Sequence, residues 1–131
     1  MAASILIVDD EPAILMIMAQ TLEKLGYKTT PTKNGVEALE TYTKNKNSID
    51  IVLTDMTMPD MTGLELARKL QKITPTLPIV LCSGKQLSPT LLEKQFNQSG
   101  IKSLLKKPFT LASLSTSIKE ALVDVANSKK S

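Results

Sequence analysis

Short segments of strand character alternate with segments of helical character along almost the whole chain. We predict five strands, because each such segment is short and is bounded by Gly, Pro or acidic residues. They are Ser4–Val8, Tyr27–Thr32, Ile49–Thr54, Ile79–Cys82 and Ile101–Leu105. The second contains Pro31, which has no backbone N–H and therefore favours an edge position. This alternation predicts an α/β fold with a parallel sheet that helices cover on both faces.

Helix-boundary residues stand between the predicted strands. Pro12 suits the first turn of a helix, and Gly26 stands where that helix should end. Thr62 and Thr110 are of the type that caps a helix N-terminus. The predicted helices run from Pro12 to Leu25, from Asn34 to about Lys44, from Thr62 to Ile73, from Ser88 to near Gly100, and from Thr110 to Val125. Right-handed connections then leave few strand orders.

The length of 131 residues is that of one domain, which we place at residues 1–126, with a short polar tail at 127–131. No apolar run reaches the roughly 18 residues of a membrane span, and the first residues lack the basic segment of a signal peptide. One cysteine and no histidine exclude an internal disulfide, the usual zinc sites and hydrolases with a histidine base. We therefore expect a cytoplasmic protein.

The basic residues do not have the pattern of a nucleic-acid reader. The net charge is only +3, and Arg68 is the only arginine, whereas base-specific readers rely on arginine forks. Two Phe, two Tyr and no Trp leave little aromatic surface for stacking on bases. We expect no direct nucleic-acid partner and no membrane partner.

Polar residues of a particular kind follow the predicted strands. Asp9 and Asp10 follow the first strand, Asp55 the third, Ser83 the fourth and Lys107 the last. In a parallel α/β sheet, ligands bind beyond the carboxyl ends of the strands. Carboxylates that converge there repel one another unless a cation is present, and oxygen ligands alone select Mg²⁺ or Mn²⁺. A lysine, a hydroxyl and a carboxylate nucleophile beside such an ion suit phosphoryl transfer.

Each of these features also has a purely structural interpretation, in which it takes no part in a reaction. Acids after the first strand favour a helix N-terminus in any case. Asp55 followed by Pro59 suits a turn, and Ser83 or Lys107 alone suits an exposed loop. Cys82 is interpreted as a small buried apolar residue, and three methionines as packing residues of the loop after Asp55: Met56, Met58 and Met61. The combination of residue types at successive strand ends favours the functional interpretation.

Several motifs resemble those of one family, the response-regulator receiver domains of two-component signalling (CheY-like domains). The resemblance extends from Ile5 to about Val125. The segments that carry it are Asp9-Asp10-Glu11-Pro12, Asn34-Gly35 with Glu37-Ala38-Leu39, the run from Asp55 to Gly63, Ser83-Gly84, and Lys107-Pro108-Phe109. It implies a flavodoxin-like, doubly wound (βα)5 three-layer sandwich, with a parallel five-stranded sheet in the order 2-1-3-4-5.

The resemblance also implies a role for the acidic residues. Asp55 would accept a phosphoryl group from a phosphohistidine of a histidine kinase or a histidine phosphotransfer domain. Asp10 would bind Mg²⁺ directly, Asp9 mainly through water, and Thr57 through its backbone carbonyl oxygen. Members of the family are not conventional enzymes, although they catalyse their own phosphorylation and dephosphorylation. They switch contacts with a downstream protein.

The other matching residues concern the phosphoryl group and the switch. Ser83 would hydrogen-bond the phosphoryl group in place of the more common threonine, and Lys107 would pair with it. The peptide bond between Lys107 and Pro108 is expected to be cis. Leu104 stands where many members carry an aromatic residue, so the aromatic rotation that reports phosphorylation in those members is not expected here.

Three alternatives share part of the pattern. A Mg²⁺-dependent aspartyl-phosphate phosphohydrolase of the haloacid dehalogenase type needs an acid two residues after its nucleophile, where this chain has Thr57. A flavin carrier would have its phosphate repelled by the Asp9-Asp10-Glu11 turn. A phosphorylation-independent interaction module would not need the complete set of acids, hydroxyl and lysine. The parent protein is interpreted as a hybrid sensor histidine kinase or a stand-alone regulator.

Overall fold

The computed structural model describes residues 3–83, 103–106 and 110–130 of the chain. Within these ranges the strands are β1 (Ser4–Val8), β2 (Lys28–Thr32), β3 (Ile51–Asp55), β4 (Ile79–Ser83) and β5 (Ser103–Lys106). The helices are α1 (Pro12–Lys24), α2 (Gly35–Asn45), α3 (Gly63–Ile73) and α4 (Leu111–Lys130). The helix that the sequence predicts from Ser88 to near Gly100 lies outside the described residues.

The strands form one five-stranded parallel sheet in the order β2-β1-β3-β4-β5. This confirms the predicted flavodoxin-like, doubly wound topology, in which the strand order reverses between β1 and β3. β2 is an edge strand, as Pro31 indicates, and Pro31 pairs with Ile7 of β1. Because all pairs are parallel, the carboxyl ends of the strands lie along one edge of the sheet.

Each face of the sheet carries its own hydrophobic core. Leu6 and Val8 of β1 pack on the side of α2 and α3, whereas Ile5 and Ile7 pack on the side of α1 and α4. Such alternation follows from the two-residue period of a strand. Because both faces are buried, the central strands consist of continuous apolar runs. The predicted three-layer sandwich is therefore confirmed.

Side chains at the predicted helix boundaries hold the helix starts. Asn34, Thr62 and Thr110 each accept a hydrogen bond from the backbone N–H three residues ahead, at 2.7, 3.1 and 3.0 Å. α1 begins at Pro12, and Gly26 after its end has a φ of 97°. These signals are local, which is why the sequence alone locates them.

The start of β3 differs from the prediction. Ile49 is 7% exposed and belongs to the core, yet regular pairing of the strand begins only at Ile51. Between them, the Asp50 N–H donates to the Ser4 carbonyl oxygen at 2.9 Å, while the Ser4 N–H donates to the Asp50 carboxylate at 2.8 Å. The Asp50 carboxylate thus takes the place of a backbone carbonyl oxygen as acceptor for the Ser4 N–H, and regular pairing of β3 with β1 begins after Asp50.

The last helix extends further than its apolar pattern predicts. α4 continues past Val125 to Lys130, because no Gly or Pro interrupts this part of the sequence. The polar residues 127–130 are therefore helical. Among the described residues, no helix combines the length and the apolar character needed to cross a membrane.

Candidate functional site

Three carboxylate side chains meet at the carboxyl edge of the sheet. Asp9 and Asp10 follow β1, and Asp55 is the last residue of the neighbouring strand β3. One carboxylate oxygen of each lies within 4.8 Å of those of the other two. Asp9 and Asp55 are buried, whereas Asp10 is exposed. The cluster lies where the strand order reverses, which is the usual ligand position in such sheets.

Asp9 is held by one hydrogen bond of its backbone and one of its side chain. Its N–H donates to the Thr32 carbonyl oxygen of β2 at 3.1 Å. Its carboxylate Oδ1 accepts the Glu11 N–H at 2.9 Å, so this oxygen also holds the start of α1. One carboxylate oxygen of Asp9 therefore does stabilise a helix start, as the purely structural interpretation holds. This contact does not exclude that Asp9 also takes part in an ion site.

Asp55 is held by the pairing of β3 with β4. It pairs with Cys82, and the next residue, Met56, donates its N–H to the Cys82 carbonyl oxygen at 2.8 Å. All five residues of β3 are buried. The carboxylate of Asp55 is thus carried by a rigid central strand, which positions a side chain better than a loop does.

The loop between β3 and α3, residues 56–62, is closed at its base. The Gly63 N–H donates to the Met56 carbonyl oxygen at 2.7 Å. Met58 is only 7% exposed and packs into the core beside α2 and α3, which agrees with the packing role predicted for the loop methionines. Thr57, whose side chain is exposed, lies between these two fixed residues.

The far side of the same loop is attached to α2 through Asp60. Its two carboxylate oxygens accept the N–H groups of Gly35 and Val36, at 3.2 and 2.8 Å. Burial tends to raise the pKa of Asp60, but hydrogen bonds to its charged form, from Val36 and Gly35 first, hold the pKa below its ordinary value. No local signal in the sequence indicates this contact, because Asp60 lies 24 positions after Val36.

Two residues are predicted to contact the phosphoryl group, and the structure describes the side chain of neither. Ser83 is the last residue of β4 and pairs with Lys106 of β5. Lys107, like the Lys107-Pro108 peptide bond, lies outside the described residues. Leu104 lies in β5, opposite Leu81. The structure thus brings Asp9, Asp10 and Asp55 together, and the roles of Ser83 and Lys107 stay predictions.

Most of the chain matches one known protein family. The family described as response regulator receiver domain matches residues 5–119, which is most of the chain. The chain belongs to this family. As a receiver domain, it is a component of two-component signalling, in which receiver domains interact with histidine kinases or phosphotransfer partners.

Individual relatives of this receiver domain agree with the family match. A receiver domain protein from Clostridium thermocellum has a similar structure, with a TM-score of 0.84 and 35% identity over 98% of this chain and 97% of that one. Sensor histidine kinase RcsC of Salmonella typhi is 40% identical over 111 residues, which are 84% of this chain and 11% of RcsC. Sensor kinase CckA of Brucella abortus is 34% identical over 121 residues, 92% of this chain and 13% of CckA. The chain thus spans about a tenth of the length of these two kinases.

The comparisons do not favour the phosphohydrolase alternative. The family match covers the Asp55 segment and the residues around it as part of a receiver domain. Thr57 stands two residues after Asp55, where that class of enzyme requires a second acid. The receiver interpretation of the resemblance is therefore confirmed at the level of the family.

Proposed function

We propose that this receiver domain accepts a phosphoryl group on Asp55 and thereby switches its contacts with a downstream protein. One observation carries the proposal: the Asp55 carboxylate meets those of Asp9 and Asp10 within 4.8 Å, in a chain that belongs to the receiver family. Asp55 ends a fully buried strand and is therefore well ordered for attack on an incoming group.

We propose Mg²⁺, or Mn²⁺ in its place, as the ion of this site. Carboxylates from three residues offer only hard oxygen donors, and such donors fit these ions. Asp10 would bind the ion directly, Asp9 mainly through water, and Asp55 and the Thr57 carbonyl oxygen would complete the protein ligands. The bound ion would neutralise the repulsion among the carboxylates and attract the oxygens of a phosphoryl group.

In the proposed transfer, a carboxylate oxygen of Asp55 attacks the phosphorus atom of a phosphohistidine. The phosphorus–nitrogen bond breaks, its electron pair returns to the imidazole, and an acyl phosphate forms on Asp55. Ser83 and Lys107 are proposed to donate hydrogen bonds to the phosphoryl oxygens. The positions of these residues in the chain support this role, since Ser83 ends β4 and Lys107 follows the last residue of β5.

The phosphohistidine is proposed to belong to a histidine kinase or a histidine phosphotransfer domain. Two curated relatives, RcsC and CckA, are named as sensor kinases, and this chain corresponds to 11% and 13% of their lengths. We therefore favour a parent protein of the hybrid sensor histidine kinase type, in which a receiver is one part of a longer chain.

The proposal includes a cytoplasmic location and the domain limits 1–126. Cys82 is buried and is the single cysteine of the chain, so it forms no internal disulfide, which suits a reducing compartment. The family match ends at residue 119, inside α4, so a limit at 126 retains the apolar part of that helix. Residues 127–131 then form a polar extension.

Acetyl phosphate tests the proposed function, because it is a phosphoryl donor that needs no protein partner. We expect the wild-type chain to gain the mass of one phosphoryl group when Mg²⁺ is present. With a chelator in place of Mg²⁺, the gain should disappear. Intact-mass spectrometry measures both, and a chain that stays unlabelled in Mg²⁺ contradicts the proposal.

Replacing Asp10 by Asn is expected to stabilise the metal-free chain and to weaken its response to Mg²⁺. Two unit charges 4–5 Å apart repel by about 1 kcal/mol even in water, and Asp10→Asn removes the charge from one of the three clustered carboxylates. Thermal unfolding at increasing Mg²⁺ concentration measures both effects. The variant should melt at a higher temperature without Mg²⁺ and gain less when Mg²⁺ is added.

A change on the exposed surface provides the control for this prediction. Glu40 is exposed on α2, and Glu40→Gln removes one negative charge away from the carboxylate cluster. Its response to Mg²⁺ should equal that of the wild type. An Asp10→Asn chain with an unchanged Mg²⁺ response would show that Asp10 is not part of the ion site.

A further inference from the structure

The 56–62 loop carries one proposed ion ligand, the Thr57 carbonyl oxygen, between two fixed ends. At its first end, Met56 donates to the Cys82 carbonyl oxygen at 2.8 Å and accepts from the Gly63 N–H at 2.7 Å. At its second end, the Thr62 side chain accepts the Glu65 N–H at 3.1 Å and starts α3. The conformation between these ends needs further contacts to be fixed.

Those contacts come from α2, on the opposite side of the loop. Asp60 accepts the N–H groups of Gly35 and Val36 at 3.2 and 2.8 Å. Beside this pair, the Met61 side chain lies directly over Gly35, since a Cβ atom on Gly35 would come within 3.1 Å of three Met61 atoms. The loop is thus attached to the first turn of α2 by a charged and an apolar contact.

The start of α2 does not need Asp60 for its own cap. Asn34, the residue before the helix, already accepts the Glu37 N–H through its side chain at 2.7 Å. Asp60 accepts the N–H groups of Gly35 and Val36, which the Asn34 side chain does not bind. Its negative charge is also favourable at a helix N-terminus. Hydrogen bonds of a carboxylate to backbone N–H groups are stronger than neutral ones. The contact therefore joins two segments rather than completing one helix.

We propose that Asp60 is a positioning residue for the ion site: its attachment to α2 holds the 56–62 loop in the conformation that presents the Thr57 carbonyl oxygen to Mg²⁺. This inference rests on the proposed function, because it concerns the same ion. Asp60 itself touches neither the ion nor the phosphoryl group. Its effect is transmitted through Met58 and Pro59, the two residues that separate it from Thr57.

The test compares Mg²⁺ binding with stability in matched variants. Asp60→Ala removes both hydrogen bonds, and Asp60→Asn keeps one carbonyl acceptor without the charge. Magnesium chloride titrations followed by NMR give the dissociation constant, and urea unfolding gives the stability. We expect Mg²⁺ affinity to fall about tenfold in Asp60→Ala, which corresponds to about 1.4 kcal/mol, and by a smaller factor in Asp60→Asn. Amide hydrogen exchange at Gly35 and Val36 should accelerate in the same order.

Two control variants separate loop positioning from general loss of stability. Asn34→Ala removes the other cap of the same helix N-terminus and leaves the Asp60 contacts in place. Asp50→Ala removes a carboxylate that accepts the Ser4 N–H at 2.8 Å, just before the start of β3. Both should lower the urea midpoint while their Mg²⁺ affinity stays within twofold of the wild type.

The outcomes distinguish this inference from the proposed function. Lower stability with wild-type Mg²⁺ affinity in Asp60→Ala would mean that Asp60 is only a structural cap, and would overturn the inference while the ion site stands. The inference would also be overturned, with the ion site still standing, if Asn34→Ala lost as much Mg²⁺ affinity as Asp60→Ala. A wild-type chain that binds no Mg²⁺ overturns the proposed ion site and the inference together.

Discussion

Asp55→Asn is expected to abolish labelling by acetyl phosphate. The substitution keeps the size and shape of the side chain and replaces the attacking carboxylate by a neutral amide. Neither remaining carboxylate in the cluster is an equivalent nucleophile, since Asp9 holds the start of α1 and Asp10 follows β1 in an exposed turn. With Mg²⁺ present, the intact mass of the variant should stay unchanged over a period in which the wild type is fully labelled.

The fold of this variant should survive, which makes the result interpretable. Asp55→Asn removes one negative charge from a cluster in which three carboxylates lie within 4.8 Å, so the free energy of unfolding without Mg²⁺ should not decrease. Asp50→Asn, at the opposite end of β3, is the matched control and should label like the wild type. Stoichiometric labelling of Asp55→Asn, mapped to Asp60 or to any other residue, would mean that the acceptor has been misassigned.

The sheet could be predicted from the sequence because its signals are local. β1, β3 and β4 are short, largely buried runs, and the boundary residues Asn34, Thr62 and Thr110 make the caps that their types predict. Pro31 correctly indicated an edge strand. The predicted start of β3 was wrong by two residues. The Asp50 side chain, rather than a backbone carbonyl group, accepts the Ser4 N–H, and Ser4 lies far away in sequence.

The position of the acidic cluster could also be predicted, because parallel strands bring their carboxyl ends to one edge. This geometry requires only that Asp9, Asp10 and Asp55 follow strands that lie side by side, which the sheet order provides. The attachment of Asp60 to α2 could not be predicted. It joins the 56–62 loop to the first turn of α2, and an exposed aspartate in a turn has the same sequence signature whether or not it meets a helix.

The second large effect is expected at Gly63, where α3 begins against the end of β3. A Cβ atom on Gly63 would collide with the Asp55 carbonyl oxygen and lie 2.8 Å from Leu81 Cδ2 and 3.1 Å from Met56 Cα. Two of these three neighbours are backbone atoms, and they belong to the residue proposed as acceptor and to the base of the 56–62 loop. They cannot move aside unless the end of β3 moves with them.

Gly63→Ala should therefore destabilise the chain, although alanine is favoured over glycine inside a helix by up to about 1 kcal/mol. Insertion of a methyl group into a packed site of this kind costs about 3 kcal/mol when backbone has to shift. Urea unfolding measures the loss. In any fraction that remains folded, labelling of Asp55 should also slow down, because the carbonyl group that moves belongs to the same residue.

Gly35→Ala is the matched control, since Gly35 and Gly63 are the first residues of α2 and α3. The three heavy atoms nearest to a Cβ atom on Gly35 would all belong to the side chain of Met61, which is flexible and can rotate away. We expect a loss of about 1 kcal/mol or less for Gly35→Ala, because the gain in helix propensity offsets part of the repacking. Equal losses for the two variants would show that contact with backbone does not decide the cost. The close approach of α3 to β3 would then not be what fixes Asp55 at the edge of the sheet.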